Sequence, residues 1–523
     1  MSGSWLRSEH KSNVLPDRFV RPLIVVLAFA SLGAAQQVEP SSDESFSTDR
    51  IELVAVDDVT IGWDGQQYPG RFVVDGRTSG LVIINELEPE RYLVGIREVP
   101  AEWPIESLKA QAVAARTYLA WTLSRGRAGS GLTYGFDICA TTACQVYLGG
   151  GDPRWAEAVS QTKGEILMYD GRPAQALYSS TTGGRTRHVA DVFTSSGDLP
   201  YLVAVDSADE DSPFVEWSYG IPLEQMTAIL QAAGLSGDAL FDVHVVVAPD
   251  GQGPSLVEIR SSAGLRAVDT WTFRTTMNRW AERLFPDDYP ALRSSGRRYP
   301  QVVLSPTFEI ERELVTEPGA FDMPPQHVEF VITGNGWGHL VGLSQFGAKA
   351  RADAGDDYQG ILSHYYVGLS PVAFELPDLI TVGLGWNLDR VELDTGPVDV
   401  YIDGKLAVSG VEGPWRMESI GERVKVSPPP GWDVPKTLAD ASIAVKAGAE
   451  LVSVAGFVAE PAEARIVVYR GDRIVAVTRW TAAERGPVRL FWPVDRSGSL
   501  RVVGQLRYPD GTTGTFNSVL SAS

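Results

Sequence analysis

The period of the hydrophobic positions changes several times along the chain, and each change marks an element. Ile51-Glu52-Leu53-Val54-Ala55-Val56 alternates as a half-buried strand does, and Leu81-Val82-Ile83-Ile84 is a short run suited to a buried one. Over 104–122 the period lengthens. Ile105, Leu108, Ala112, Ala115 and Leu119 recur at helical spacing behind Pro104, whose fixed φ suits a first turn. With alanine so prominent in the stripe, this helix is expected to approach its neighbour closely. Further helices are predicted near Leu223–Ala233 and Asp269–Leu284, within a mixed region reaching about residue 375. Beyond Leu376 the pattern reads as β. Asp399–Leu406 predicts a hairpin with an Asp-Gly turn, and Ser427-Pro428-Pro429-Pro430-Gly431 a rigid linker or edge. Ile466–Tyr469, Ile474–Thr478, Val488–Phe491 and Leu500–Tyr508 have the regular spacing of a small β-sandwich. No repeat implies a solenoid.

The first 35 residues follow a different rule. Arg7, Lys11, Arg18 and Arg21 precede the apolar run Pro22–Ala30, and Gly33-Ala34-Ala35 lead into a polar stretch. That order is that of a secretory signal, and the run is shorter than the roughly 20 residues a spanning helix needs. An uncleaved anchor is the other reading. Residues 36–49 are expected to be a disordered linker, and the protein is expected to work outside the cytoplasm. Hydrophobic residues at 44% suffice for real cores, while 52 Gly and 33 Pro favour turns and short strands. With 45 basic against 66 acidic residues the net charge is −21, and no basic stripe offsets it. Phosphate-driven nucleic-acid binding is thereby set aside. Residues 1–35 carry four basic and two acidic side chains, so their removal would leave −23.

The strongest candidate chemistry lies just ahead of the central helix. Glu98 stands among Ile96, Val99, Pro100 and Trp103, a setting that disfavours a carboxylate and lifts its pKa toward the working pH of a general acid. Glu102 and Glu106 are the competing carboxyls. Lys109 and Arg116, seven positions apart, share one side of the helix and could hold polar or anionic substrate groups. The plainer reading is an exposed glutamate and two surface cations. Gly334, Gly336 and Gly338 are spaced like a phosphate cradle, but no Gly-Lys-Ser/Thr follows, and no Gly-x-Ser-x-Gly elbow is present.

The run Glu106-Ser107-Leu108-Lys109-Ala110-Gln111-Ala112-Val113-Ala114-Ala115-Arg116-Thr117-Tyr118 closely resembles the signature helix of the SpoIID/LytB family. Cys144–Gly149, Tyr178–Thr186, Leu199–Leu202, Gly336–Ala348 and Ile361–Gly368 resemble further blocks in the same order, so the resemblance covers most of 51–370. It implies an α+β fold with a SpoIID-like, cleft-forming core over 50–375. A β-rich extension over 376–440 and a β-sandwich-like domain over 441–523 would follow.

By the same resemblance the protein is an exported peptidoglycan lytic transglycosylase. It would cut glycan strands between N-acetylmuramic acid and N-acetylglucosamine, preferring peptide-stripped strands and leaving 1,6-anhydro ends. The family's catalytic residue, in its Glu-Met-Pro motif, falls on Glu98 of Glu98-Val99-Pro100. The segment from Gly95 is shorter than in the sporulation enzymes, and Leu340 stands where the family usually has Gly after His339. Lys109, Gln111, Arg116, Ser179, Ser180, Thr182, His339 and Gln345 are then expected to bind substrate. The local alternatives are a capped turn for the hydroxyls and a satisfied loop histidine in a tight glycine turn. Some relatives hold zinc with cysteines and nearby histidines. No histidine flanks Cys139 and Cys144, so export favours a disulfide, and neither metal nor cofactor is expected. Peptidoglycan strands and a cell-wall amidase are the implied partners. The alternative function is a non-catalytic, peptidoglycan-binding amidase enhancer; a surface scaffold is a third reading.

Overall fold

Two mostly antiparallel sheets carry strands drawn from both ends of the core. The structure is a computed structural model. It describes residues 45–56, 59–193, 197, 199–247, 255–289, 292–294, 297–299, 302–316, 326–429, 442–445, 451–458, 461–470, 473–483, 486–493, 500–509, 511 and 513–520. Residues 1–35, expected to be an export signal, and residues 36–44 of the expected linker lie outside them. The larger sheet comprises β1 (Arg50–Ala55), β2 (Arg71–Arg77), β3 (Gly80–Leu87), β4 (Ile138–Cys139), β5 (Ile380–Leu388), β6 (Val398–Ile402) and β7 (Lys405–Val411). Their order is β7-β6-β1-β2-β3-β5-β4, and only the β4–β5 pair is parallel. A six-stranded sheet runs Phe46–Thr48, Arg423–Ser427, Trp415–Ile420, Arg390–Thr395, Ile61–Trp63, Gln66–Tyr68. Ile51, Leu53 and Phe72 of the first share one apolar core with Trp415, Met417 and Val424 of the second. The predicted hairpin forms, with Asp403 and Gly404 both at positive φ (49° and 78°), as a two-residue turn between twisted strands requires.

This pairing corrects two boundaries. Strands of 376–427 are not an appended extension; β5 and β6 sit inside the sheet beside β3 and β1. Alternation of apolar residues shows that a strand has a buried face, but not which strand flanks it. Phe46–Thr48, placed in the linker by composition, pairs with Val424–Val426.

The central helix, Ile105–Arg125, is buried on opposite sides. Leu108, Ala112, Ala115 and Leu119 pack into the sheet core, while Ala110, Val113 and Ala114 pack into a second core with Leu177, Val341 and Leu343. A helix covered all round shows little amphipathicity, and alanine lets both neighbours come close. A lobe inserted between these halves has a third core, in which the helices Leu223–Ala232 and Thr270–Leu284 pack on short antiparallel sheets. Asp269 caps the second helix, accepting the Thr272 amide at 2.7 Å. Toward the C-terminus, Ser442–Val445, Leu451–Val458 and Gly486–Pro493 form one sheet, and Ala462–Arg470 centres another with Leu500–Arg507 and Thr513–Leu520. With mostly antiparallel sheets and helices gathered between them, the class is α+β.

Candidate active site

A cleft of about 1240 Å³ opens where the three cores meet. Trp103, Trp121, Trp155, Phe193, Trp271 and Trp337 give it aromatic walls, and Glu98 lies on its lining.

A short ladder holds that glutamate. The helix Pro89–Val94 stops at Gly95, after which the chain runs beside 146–148. The Arg97 amide donates to the Val146 carbonyl at 2.9 Å and the Leu148 amide to the Gly95 carbonyl at 3.0 Å. Only glycine fits at 95, because a Cβ there would lie 2.2 Å from the Gly149 oxygen. The shortened Gly95–Glu98 segment thus spans one bridge and brings Glu98 Oε1 to the Val146 amide at 2.6 Å. The side chain is half-buried. Desolvation of the carboxyl raises its pKa to about 7, against the opposing hydrogen bonds from Val146 and the Tyr178 hydroxyl.

Tyr178 and its support were not anticipated. Gln145, fully buried, donates from Nε2 to the Tyr178 hydroxyl at 2.9 Å and to the Ala115 carbonyl at 3.2 Å, and accepts from Tyr92 Oη at 3.0 Å. Tyr178 is therefore held as a donor to Glu98. Burial, with the Glu98 charge second, keeps its pKa well above the ordinary tyrosine value. The signal was present in the sequence: Gln145 and Tyr178 stand in two of the blocks noted above. Their meeting depends on three separate segments.

The other expected site residues divide. Ser179, Ser180, His339 and Gln345 line the cleft. Ser179 Oγ is buried without a hydrogen-bond partner among the described residues. His339 lines the cleft, but its ring is engaged: Nδ1 accepts the Val341 amide at 3.0 Å, and the ring bonds the Tyr178 backbone. Burial first, and the Arg274 charge second, lower its pKa to about 3, so it is neutral. These are the contacts of a satisfied loop histidine, on a residue that also lines the cleft. The glycines around it admit close backbone approach; at Gly338 (φ 117°) a Cβ would meet that of Ser179 at 2.5 Å. Leu340 adopts the left-handed conformation (φ 64°), at a cost of about 1 kcal/mol, with its side chain buried.

Lys109, Gln111, Arg116 and Thr182 do not line the cleft, which corrects the expectation that they bind substrate. Arg116 is fully buried and forks onto Glu90, with Nε and Nη2 each 2.9 Å from a carboxyl oxygen. On a helix covered on both sides, an arginine flanked by alanines must find its anion inside the protein. Lys109 pairs with Glu106 at 2.7 Å and lies over the Tyr358 ring. Gln111 is buried, and neither of its amide atoms has a hydrogen-bond partner among the described residues. Thr182 donates from both N and Oγ1 to Asp209 Oδ2, at 2.5 and 2.8 Å. Of the competing carboxyls, Glu106 is engaged with Lys109 and the Tyr358 amide away from the cleft, and Glu102 is exposed on its rim.

Cys139 and Cys144 form a disulfide immediately before Gln145 and Val146. Among the described residues no group of three or more His, Cys, Asp or Glu side chains could hold a metal ion. Replacing both cysteines by serine should cost about 2 kcal/mol, the value for so short a loop, measurable by urea titration. An unchanged midpoint would mean the loop is held without the bridge.

Residues 77–169 match the family model described as Stage II sporulation protein, so this segment of the chain is similar to the SpoIID family. The chain is 32% identical over 347 residues to the "Amidase enhancer" of Bacillus subtilis (strain 168), covering 60% of this chain and 45% of that protein. It is 29% identical over 316 residues to "Stage II sporulation protein D" of Bacillus amyloliquefaciens, covering 56% and 76%. The namesake from Bacillus subtilis (strain 168) is 27% identical over 300 residues, covering 54% and 74%. The chain thus spans less than half the length of the amidase enhancer.

Proposed function

We propose that this protein is an exported peptidoglycan lytic transglycosylase with Glu98 as its single acid–base. The observation that carries the reading is the Glu98 carboxyl, lifted to about 7 by burial while it faces the cleft. Protonated, it gives its proton to the glycosidic oxygen between N-acetylmuramic acid and N-acetylglucosamine as the C1–O bond breaks. The substrate's own acetamido group stabilises the electron-poor C1, so no second carboxylate is needed. The Tyr178 hydroxyl and the Val146 amide steady the carboxylate that results. Glu98 then takes the proton of the sugar's 6-hydroxyl as that oxygen closes onto C1, giving a 1,6-anhydro end and restoring the acid.

The test is digestion of peptide-free glycan strands, with mass spectrometry for anhydro-muramyl ends. Wild type should produce them. Its kcat/KM should be level on the acid side and fall about tenfold per pH unit above about 7, as the acid is lost. Hydrolytic, non-anhydro ends would overturn the mechanism.

A second reading is favoured by the name of the 32% identical relative: the cleft binds glycan without cutting it and enhances a cell-wall amidase. Wild type that pellets with sacculi, yields no anhydro ends and raises an amidase's rate would establish that reading instead.

A further inference from the structure

The wall supplied by the inserted lobe carries a charge that the acid–base steps leave unused. Arg274, on the helix Thr270–Leu284, lines the cleft with Trp271, Thr275 and Asn278. Its Nε donates to the Leu304 carbonyl at 3.0 Å, and its guanidinium lies over the Trp271 ring, 4.9 Å from the centroid. Those two contacts fix the plane of the fork. Its terminal amino groups bond none of the described residues, and no carboxyl among them pairs with it.

Burial lowers its pKa to about 10, the mark of a cation removed from water without a compensating anion. The nearby titratable group, His339, is neutral and is itself disfavoured as a cation by this arginine. The acidity of Glu98 is set by burial, Val146 and Tyr178, so Glu98 does not neutralise it. A fixed, uncompensated guanidinium facing a cavity is built to receive a carboxylate in a two-pronged hydrogen bond. On a peptidoglycan strand the anionic group of the repeating sugars is the lactyl carboxylate of muramic acid. It is free only where the stem peptide is gone; with the peptide attached it is a neutral amide.

We propose that Arg274 is a substrate-positioning residue that receives the free lactyl carboxylate of a bound muramic acid, and so distinguishes peptide-free from peptide-bearing strands. The assignment rests on the peptidoglycan reading above and holds whether the cleft cuts or only binds.

The test compares binding of two probes: peptide-free strands with free lactyl carboxylates, and the same strands with those groups converted to methylamides. Wild type should prefer the free acid by about 10- to 100-fold, the worth of a charge-assisted pair in a partly dry site. Arg274→Gln should bring the ratio to near one. Arg274→Lys, which keeps the charge but loses the fork, should retain part of it. Arg283→Gln, an exposed cation on the same helix outside the cleft, should leave the ratio unchanged. Thermal melts check that each variant folds; if Arg274→Gln does not, the wild-type ratio and the Lys variant decide. Equal binding of both probes by wild type, or a ratio preserved in Arg274→Gln, would overturn the assignment. Binding to neither probe removes the peptidoglycan reading and this one with it. Discrimination without anhydro ends removes only the catalytic reading.

Discussion

Glu98→Gln is expected to lower strand cleavage by at least about 10³-fold while making the protein more stable at alkaline pH. The first effect follows from asking one side chain to be both acid and base; an amide is neither, and general acid–base catalysis contributes about 10²–10⁴. The second follows from the same desolvation. An ordinary glutamate titrates near 4.5, and Glu98 near 7. The native state therefore holds a proton that the unfolded chain has released between those values, and wild-type stability falls as pH rises through that window. Below about 4.5 the two proteins should unfold alike. Above about 7 the variant should lead by up to about 3 kcal/mol. Melts at pH 4, 6 and 8.5 measure the divergence; parallel curves would show that the carboxyl is not desolvated. Gain of stability with loss of activity separates this outcome from simple misfolding.

Asp209→Ala should be among the most damaging substitutions away from the catalytic acid. Asp209 is fully buried and accepts four hydrogen bonds: from Thr182 N and Oγ1, from the Gly184 amide at 2.7 Å, and from Ser344 Oγ at 2.9 Å. Ser344 in turn caps the helix Gln345–Asp353 by accepting the Gly347 amide. One carboxyl group thus ties the Ser179–Gly184 side of the cleft to the helix that begins at Gln345. Removing it strands several buried donors, and about 3–5 kcal/mol should be lost. At about 2–4 °C per kcal/mol, the melting temperature should drop by roughly 6–20 °C. Asp209→Asn keeps an acceptor but turns an amino group toward the Gly184 amide, so a smaller loss is expected. A drop under about 1 kcal/mol for Asp209→Ala would show that water satisfies these donors.

Local patterns were legible where a residue's neighbours in sequence are also its neighbours in space. The central helix, the Asp403-Gly404 turn and the helices Leu223–Ala232 and Thr270–Leu284 all declare themselves within a few positions. Glu98 was singled out by its apolar surroundings and the motif it shares. What failed were statements about facing. Arg116 reads as a surface cation until Glu90 of the preceding helix is seen against it. Thr182 reads as a free hydroxyl until Asp209 arrives from 27 positions away. The Tyr92–Gln145–Tyr178 chain joins three segments whose proximity no periodicity encodes. Arg274 went unnoticed because nothing local marks its helix as a wall of the cleft.

The sheet that spans the two ends of the core has a consequence for how the molecule is made. Arg423 donates to the Ser47 carbonyl across 376 positions, and β1 lies between β2 and a β6 that is synthesised more than 340 residues later. Such remote closure makes folding slow and largely post-synthetic, because the loop entropy is lost before the contact rewards it. A nascent chain halted near residue 375 would expose the long edges of β1 and β3, inviting aggregation. The smallest fragment expected to refold with its acid in place therefore runs from about Phe46 to Ser427.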